Sequence, residues 1–144
     1  VLLGQDLAKI LAPGRVIALY GPIGAGKSAL CRAIIQSSLT TPEDVPSPTF
    51  TLIQTYETPG FEIWHCDLYR LNSLDQVDEL GLWEAMDSDA CLIEWPELLG
   101  DELPQNAMNL RISPQDHTDY RILTLTAPQS HWPNLKDILH ATYN

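Results

Sequence analysis

The segment Gly21-Pro22-Ile23-Gly24-Ala25-Gly26-Lys27-Ser28 constrains this chain more than any other. It has the form G-x-x-x-x-G-K-[ST]. It stands between Val16-Ile17-Ala18-Leu19-Tyr20, a continuous apolar run of strand length, and Ala29 to Leu39, where Leu30, Ala33 and Ile34 recur at helical spacing. A buried strand, a glycine loop and a helix in that order make one phosphate-cradling unit. Gly21, Gly24 and Gly26 permit torsions closed to other residues, so main-chain amides can turn inward around phosphate oxygens. The helix that begins near Lys27 adds its positive end to the same cavity. Lys27 can set an ammonium between β- and γ-phosphates, and Ser28 can offer a hydroxyl to Mg²⁺. A mere glycine-rich turn does not explain why Lys and Ser stand where they do.

The rest of the chain reads as the surroundings of that unit. Asp6 to Leu11 predicts a short helix closed by Pro13-Gly14. Thr40 to Pro48, with three prolines, must be a loop, since each proline removes a donor and biases its predecessor away from helix. Thr49 to Tyr56 and Phe61 to Tyr69 read as a hairpin joined by Glu57-Thr58-Pro59-Gly60. Ser73-Leu74-Asp75-Gln76 has the capping-box form, opening a helix to about Leu80 that Gly81 can end, with one more turn over Leu82 to Met86. Cys91 to Trp95 is a second buried strand stopped by Pro96. Asn109 to Ile112 and Tyr120 to Thr126 are late strands, and Trp132 to Ala141 is a closing helix. The expected fold is one α/β domain over residues 1–144, a three-layer P-loop NTPase-like arrangement. Its sheet is central and mostly parallel, with helices on both faces and an antiparallel hairpin.

A P-loop needs an acid at the end of a neighbouring strand, to hold Mg²⁺ directly or through water. Two strands supply one. In Phe61 to Asp67 the run ends in Asp67, and alternation sets His65 and Asp67 on one face and Cys66 on the other. In Cys91-Leu92-Ile93-Glu94 it ends in Glu94, with Glu97 beyond the proline as a weaker candidate. Strand ends are where parallel α/β sheets gather ligands. His65, Cys66 and Asp67 do not form a metal site, because neighbouring strand residues face opposite ways. His65 reads as a packed or hydrogen-bonded histidine, and Cys66 and Cys91 as small buried hydrophobes.

Composition excludes other classes. Nineteen acids against eight bases give a net charge of −11, and eight bases spread over 144 residues cannot form the cationic stripe that phosphate-backbone binding needs. Between Asp67 and Glu102 lie eleven acids and one base, Arg70, which carry −10 of that charge as solvated faces or as a docking face for a basic partner. With 44% hydrophobic residues and no apolar run near 18 residues, the composition is globular, not membrane-spanning. Three unpaired cysteines and no secretory signal fit a cytoplasmic location.

Four blocks then stand together in order: the octet Gly21 to Ser28; Ser47-Pro48-Thr49-Phe50-Thr51-Leu52; His65-Cys66-Asp67-Leu68-Tyr69-Arg70-Leu71; and Ile93-Glu94-Trp95-Pro96-Glu97. In this the chain resembles, over essentially its whole length, the TsaE (formerly YjeE) family of bacterial P-loop ATPases of tRNA threonylcarbamoyladenosine biosynthesis. The resemblance implies ATP hydrolysis and joint work with TsaB and TsaD on adenosine 37 of tRNAs. It also implies that Thr49 lies in a switch-like loop facing the γ-phosphate, that Asp67 supports Mg²⁺, and that Glu94 is the carboxylate at the metal and attacking water. Trp95 matches the family's aromatic beside the site. The nucleotide-contacting set is then Gly21, Gly24, Ala25, Gly26, Lys27, Ser28, Ala29, Thr49, Trp95 and Arg121. Lys27, Asp67 and Glu94 are the catalytic residues, and Ser28, Asp67 and Glu94 the metal ligands.

Against the family, Pro22 replaces a usual acid, and the chain begins after the expected short first strand. Two other functions share the motif. A small P-loop kinase needs a cationic lid, and after Asp67 only Arg70, Arg111, Arg121 and Lys136 remain. A nucleotide-gated binding module without essential hydrolysis would use the loop Thr41 to Pro48 as its moving part. No direct binding of tRNA by the chain alone is expected.

Overall fold

Val16–Tyr20 forms the first strand, β1, and its first four residues are buried. That is what a strand covered on both faces requires, and the computed structural model, which describes residues 2–48, 51–116 and 119–138, shows the cover. Among the described residues the chain runs α1 (Leu2–Ala8), β1, α2 (Lys27–Ser38), β2 (Ile53–Thr58), β3 (Phe61–Asp67), α3 (Leu74–Asp78) and α4 (Leu82–Ser88). It continues through β4 (Ala90–Glu94), a 3₁₀ segment over Pro96–Glu102, β5 (Met108–Pro114), β6 (Arg121–Thr126) and α5 (Leu135–Ile138).

The six strands form one sheet in the order β2-β3-β4-β1-β5-β6. β3, β4, β1 and β5 are mutually parallel, and the hairpin partners β2 and β6 add antiparallel edges. Alternation divides the core in two. Ile17, Leu19, Ile63, Leu92 and Leu110 pack on the side of α1 and α2 with Leu7, Cys31, Ile34 and Ile35. Val16, Cys66, Cys91 and Ile93 pack on the other with Val77, Leu82, Ala85 and Met86 of α3 and α4. This is the three-layer α/β fold that the sequence predicts.

Local boundaries differ for physical reasons. The first helix covers Leu2–Ala8, and Lys9, Ile10 and Leu11 follow it with three-residue turns, so the Asp6 to Leu11 expectation is shifted toward the C-terminus. β2 starts at Ile53 and not at Thr49. Leu52 has φ 69, a left-handed bend that no strand contains, and its amide bonds back to Pro48 at 2.6 Å. Ser73 and Gln76 do close a capping box on α3, yet the helix stops at Asp78. Gly81, at φ 75, instead opens α4, a full second helix where one turn was expected. The closing helix is described over Leu135–Ile138, and its predicted extension to Ala141 lies outside the described residues.

Candidate functional site

Parallel register decides which carboxylates meet the loop. β4 lies between β1 and β3, with Leu19 opposite Glu94 and Asp67 opposite Glu94, so both strand-end acids come out beside the loop that follows β1. The Leu68 amide donates to the Glu94 carbonyl at 3.1 Å, locking the two ends together.

The loop takes its shape from its glycines. Gly21 has φ 151, and a Cβ there would lie 2.8 Å from the Ile112 carbonyl oxygen of β5, so only a residue without a side chain fits. Gly26 has φ 110 and precedes α2, whose first-turn amides at Lys27, Ser28 and Ala29 have no helical acceptor. They face a cavity of about 390 Å³ lined by Ile23, Gly24, Ala25, Gly26, Lys27, Ser28, Ala29, Asp67, Tyr69, Glu94 and Trp95.

Four polar side chains are buried here: Lys27, His65, Asp67 and Glu94, none more than 5% exposed. The Ser28 hydroxyl donates to Glu94 Oε1 at 2.7 Å, and His65 Nε2 lies 2.7 Å from Glu94 Oε2. Asp67 Oδ1 accepts from the Tyr69 amide at 3.0 Å, and the Asp67 amide donates to Leu52 O at 2.9 Å. Lys27 Nζ donates to the Gly21 and Pro22 carbonyls of its own loop and stands 3.9 Å from the centre of the Trp95 ring. Burial lowers the Lys27 ammonium below its ordinary value, and the Glu94, Glu97 and Asp67 carboxylates pull it back up.

Trp95 reaches this position through a left-handed residue, φ 57, that turns the chain out of β4 into the Pro96 segment. A non-glycine residue held there costs on the order of 1–3 kcal/mol, a strain that characteristically gathers at binding sites. Its ring packs against Tyr69 at 4.8 Å between centroids, and both residues line the cavity.

The structure thus brings Lys27, Ser28, Asp67, Glu94 and Trp95 together with the loop residues Gly24, Ala25, Gly26 and Ala29. Arg121, at the start of β6, comes near the same loop: its Nε is 3.9 Å from where a Gly26 Cβ would stand. Glu97 is exposed one turn beyond, and Thr49 lies outside the described residues. Sequence reasoning did not single out Tyr69 or Cys31. Tyr69 sits two residues past Asp67, and Cys31 is one helical turn past Ser28 with its sulfur within 4.8 Å of ligand atoms on both His65 and Glu94. Burial, with the nearby carboxylates adding to it, pushes the Cys31 thiol well above its ordinary range. The i,i+3 spacing from Ser28 was the available signal for Cys31.

The site fits a phosphorylated ligand with a divalent cation. Its lining holds one ammonium against two carboxylates, so a polyphosphate anion would meet uncompensated negative charge unless a cation enters between them. The hard oxygens of Ser28, Asp67 and Glu94 are the donor type that Mg²⁺ takes.

Comparison with known proteins identifies the fold and the family. A crystal structure of Bacillus subtilis YdiB superposes with a TM-score of 0.74 over 96% of this chain and 85% of that one, at 24% identity, which shows the shared fold. The tRNA threonylcarbamoyladenosine biosynthesis protein TsaE of Rickettsia bellii is 41% identical over 122 residues, 85% of this chain and 84% of the relative. That of Rickettsia felis is 38% identical over 97% of this chain and 81% of the relative, and that of Bacillus subtilis 35% identical over 85% and 78%. The family model described as threonylcarbamoyl adenosine biosynthesis protein TsaE matches residues 1–122. With that match and relatives 35–41% identical over most of their length, the chain belongs to the TsaE family.

Proposed function

We propose that this chain binds ATP with Mg²⁺ at the Gly21 to Ser28 loop and hydrolyses it in the cytoplasm. The hydrolysis serves threonylcarbamoyladenosine formation on tRNA, in concert with TsaB and TsaD. The observation that carries the reading is the hydrogen bond from Ser28 to Glu94. A P-loop hydroxyl and a strand-end carboxylate 66 residues apart meet at 2.7 Å in one cavity.

In this reading Gly21, Gly24, Ala25, Gly26 and Ala29 shape or supply the phosphate cradle. Lys27 exchanges the carbonyls of Gly21 and Pro22 for phosphate oxygens, gaining charge-assisted hydrogen bonds for neutral ones. Arg121 adds a second positive charge at the loop, and Trp95 borders the nucleotide. Ser28, Glu94 and Asp67 would hold Mg²⁺, which neutralises charge on the phosphate oxygens when bound. Glu94 orients the attacking water by accepting a hydrogen bond from it; the water oxygen bonds to the terminal phosphorus as the bond to the ADP oxygen breaks, and the water's protons leave with the phosphate or to solvent. A net charge of −11 leaves tRNA contact to the partner proteins.

Multiple-cycle tRNA modification with purified TsaB and TsaD tests the proposal. Modification should require hydrolysable ATP and should be lost in Lys27→Ala. Equal modification with a non-hydrolysable analogue, or with Lys27→Ala, rejects it.

A further inference from the structure

His65 is an expensive residue for its position. It lies on the face of β3 that carries Ile63, opposite Leu92, and is 1% exposed. An apolar side chain would pack there without desolvating an imidazole. What the imidazole does is visible in its two nitrogens. Nε2 lies 2.7 Å from Glu94 Oε2, and Nδ1 is buried with no hydrogen-bond partner among the described residues. A proton on Nδ1 would leave a buried donor unmade, whereas a bare lone pair costs less in the same place. The proton therefore belongs on Nε2, and that nitrogen donates to Glu94.

Glu94 is then held at both oxygens, Oε1 by the Ser28 hydroxyl and Oε2 by the His65 ring. The two holds differ. Ser28 stands in the first turn of α2 and is itself a candidate cation ligand, while His65 sits in a strand whose backbone is fixed by pairing on both sides. Cys31 Sγ lies within 4.8 Å of ligand atoms on both His65 and Glu94.

We infer that His65 is a positioning residue: an Nε2–H donor that fixes Glu94 with Oε1 turned to the Ser28 side, where a nucleotide-bound divalent cation is held. The inference rests on the reading of the site under Proposed function and adds a residue that touches neither nucleotide nor metal.

The test compares His65→Gln, whose amide nitrogen reaches about where Nε2 stands, with His65→Leu, which removes the donor. Mn²⁺ affinity of the ADP complex is followed by electron paramagnetic resonance, and ADP affinity is measured without metal. One charge-assisted hydrogen bond corresponds to about a tenfold loss of Mn²⁺ affinity in His65→Leu. His65→Gln should stay near the wild type, and metal-free ADP binding should be unchanged in both. Ring ¹⁵N shifts of the wild type should show the proton on Nε2. If His65→Leu does not fold by thermal melting, His65→Asn, too short to reach Oε2, takes its place. Equal Mn²⁺ affinity in the Gln variant and the donor-less variant, or a proton on Nδ1, overturns the inference alone. A wild-type ADP complex that binds no Mn²⁺ overturns the nucleotide reading and this inference with it.

Discussion

Replacing Gly21 by alanine tests whether the loop is held against β5 by close backbone approach. The new Cβ would stand 2.8 Å from the Ile112 carbonyl oxygen and 3.3 Å from Ala25 Cβ, and neither neighbour is the free end of a flexible side chain. Two costs follow. Holding a non-glycine residue at φ 151 costs about 1–3 kcal/mol, and pressing a methyl into packed backbone costs about 1–3 more. The sum centres near 4 kcal/mol, which at about 3 °C per kcal/mol for a domain of this size lowers the melting temperature by about 12 °C. Gly24→Ala is the control, because Gly24 is also left-handed, φ 81, but a Cβ there meets nothing within 4 Å. It should incur the torsional cost only, a fall of about 3–9 °C centred near 6 °C. Calorimetry of the two variants without nucleotide gives both numbers. Equal falls, or a larger one for Gly24→Ala, would refute the claim that contact with β5, and not torsion alone, reserves position 21 for glycine.

Three further outcomes follow from the same geometry. Burial pushes the Cys91 thiol up to about 12 and those of Cys31 and Cys66 well above 9, so their stabilising effect is complete below pH 9 and is lost as pH rises toward 12. Urea midpoints should fall over that window, less steeply in Cys91→Ala, and an aromatic disulfide reagent at pH 8 should label these thiols no faster than the protein unfolds. Nucleotide binding should change the tryptophan fluorescence because it draws Lys27 from the face of Trp95, now 3.9 Å away. An undiminished change in Trp95→Phe, which keeps Trp64, Trp83 and Trp132, contradicts this. With −11 net charge the chain alone should show no salt-sensitive tRNA binding in filter retention, and submicromolar affinity at physiological salt would contradict the charge argument.

Much of the site was legible because its parts announce themselves over short spans. The strand, the glycine octet and the helix are contiguous, and each carboxylate closes an apolar run. What a linear reading cannot give is sheet order. Only the insertion of β4 between β1 and β3 sets Glu94 against Ser28 and His65, and nothing near residue 94 states that neighbour. Alternation did set His65 on the face of Asp67, yet the partner of its nitrogen depended on the same long-range register. The boundary errors have a local origin. Leu52 and Trp95 adopt left-handed torsions that tertiary packing imposes and that propensity does not foresee, and Gly81 used its freedom to begin a helix where ending one was equally compatible with its chemistry. No helix among the described residues is long and apolar enough to cross a membrane, in line with the apolar-run reading.

Glu94 carries the central claim, since it joins the loop hydroxyl, the neighbouring strand and the proposed water. Phosphate release from Mg·ATP should be compared for the wild type and Glu94→Ala, in the presence of TsaB and TsaD, with ADP affinity determined in parallel. Loss of a residue that orients the nucleophile should lower turnover by about 100-fold or more while nucleotide is still bound. Unchanged turnover in Glu94→Ala would contradict the account.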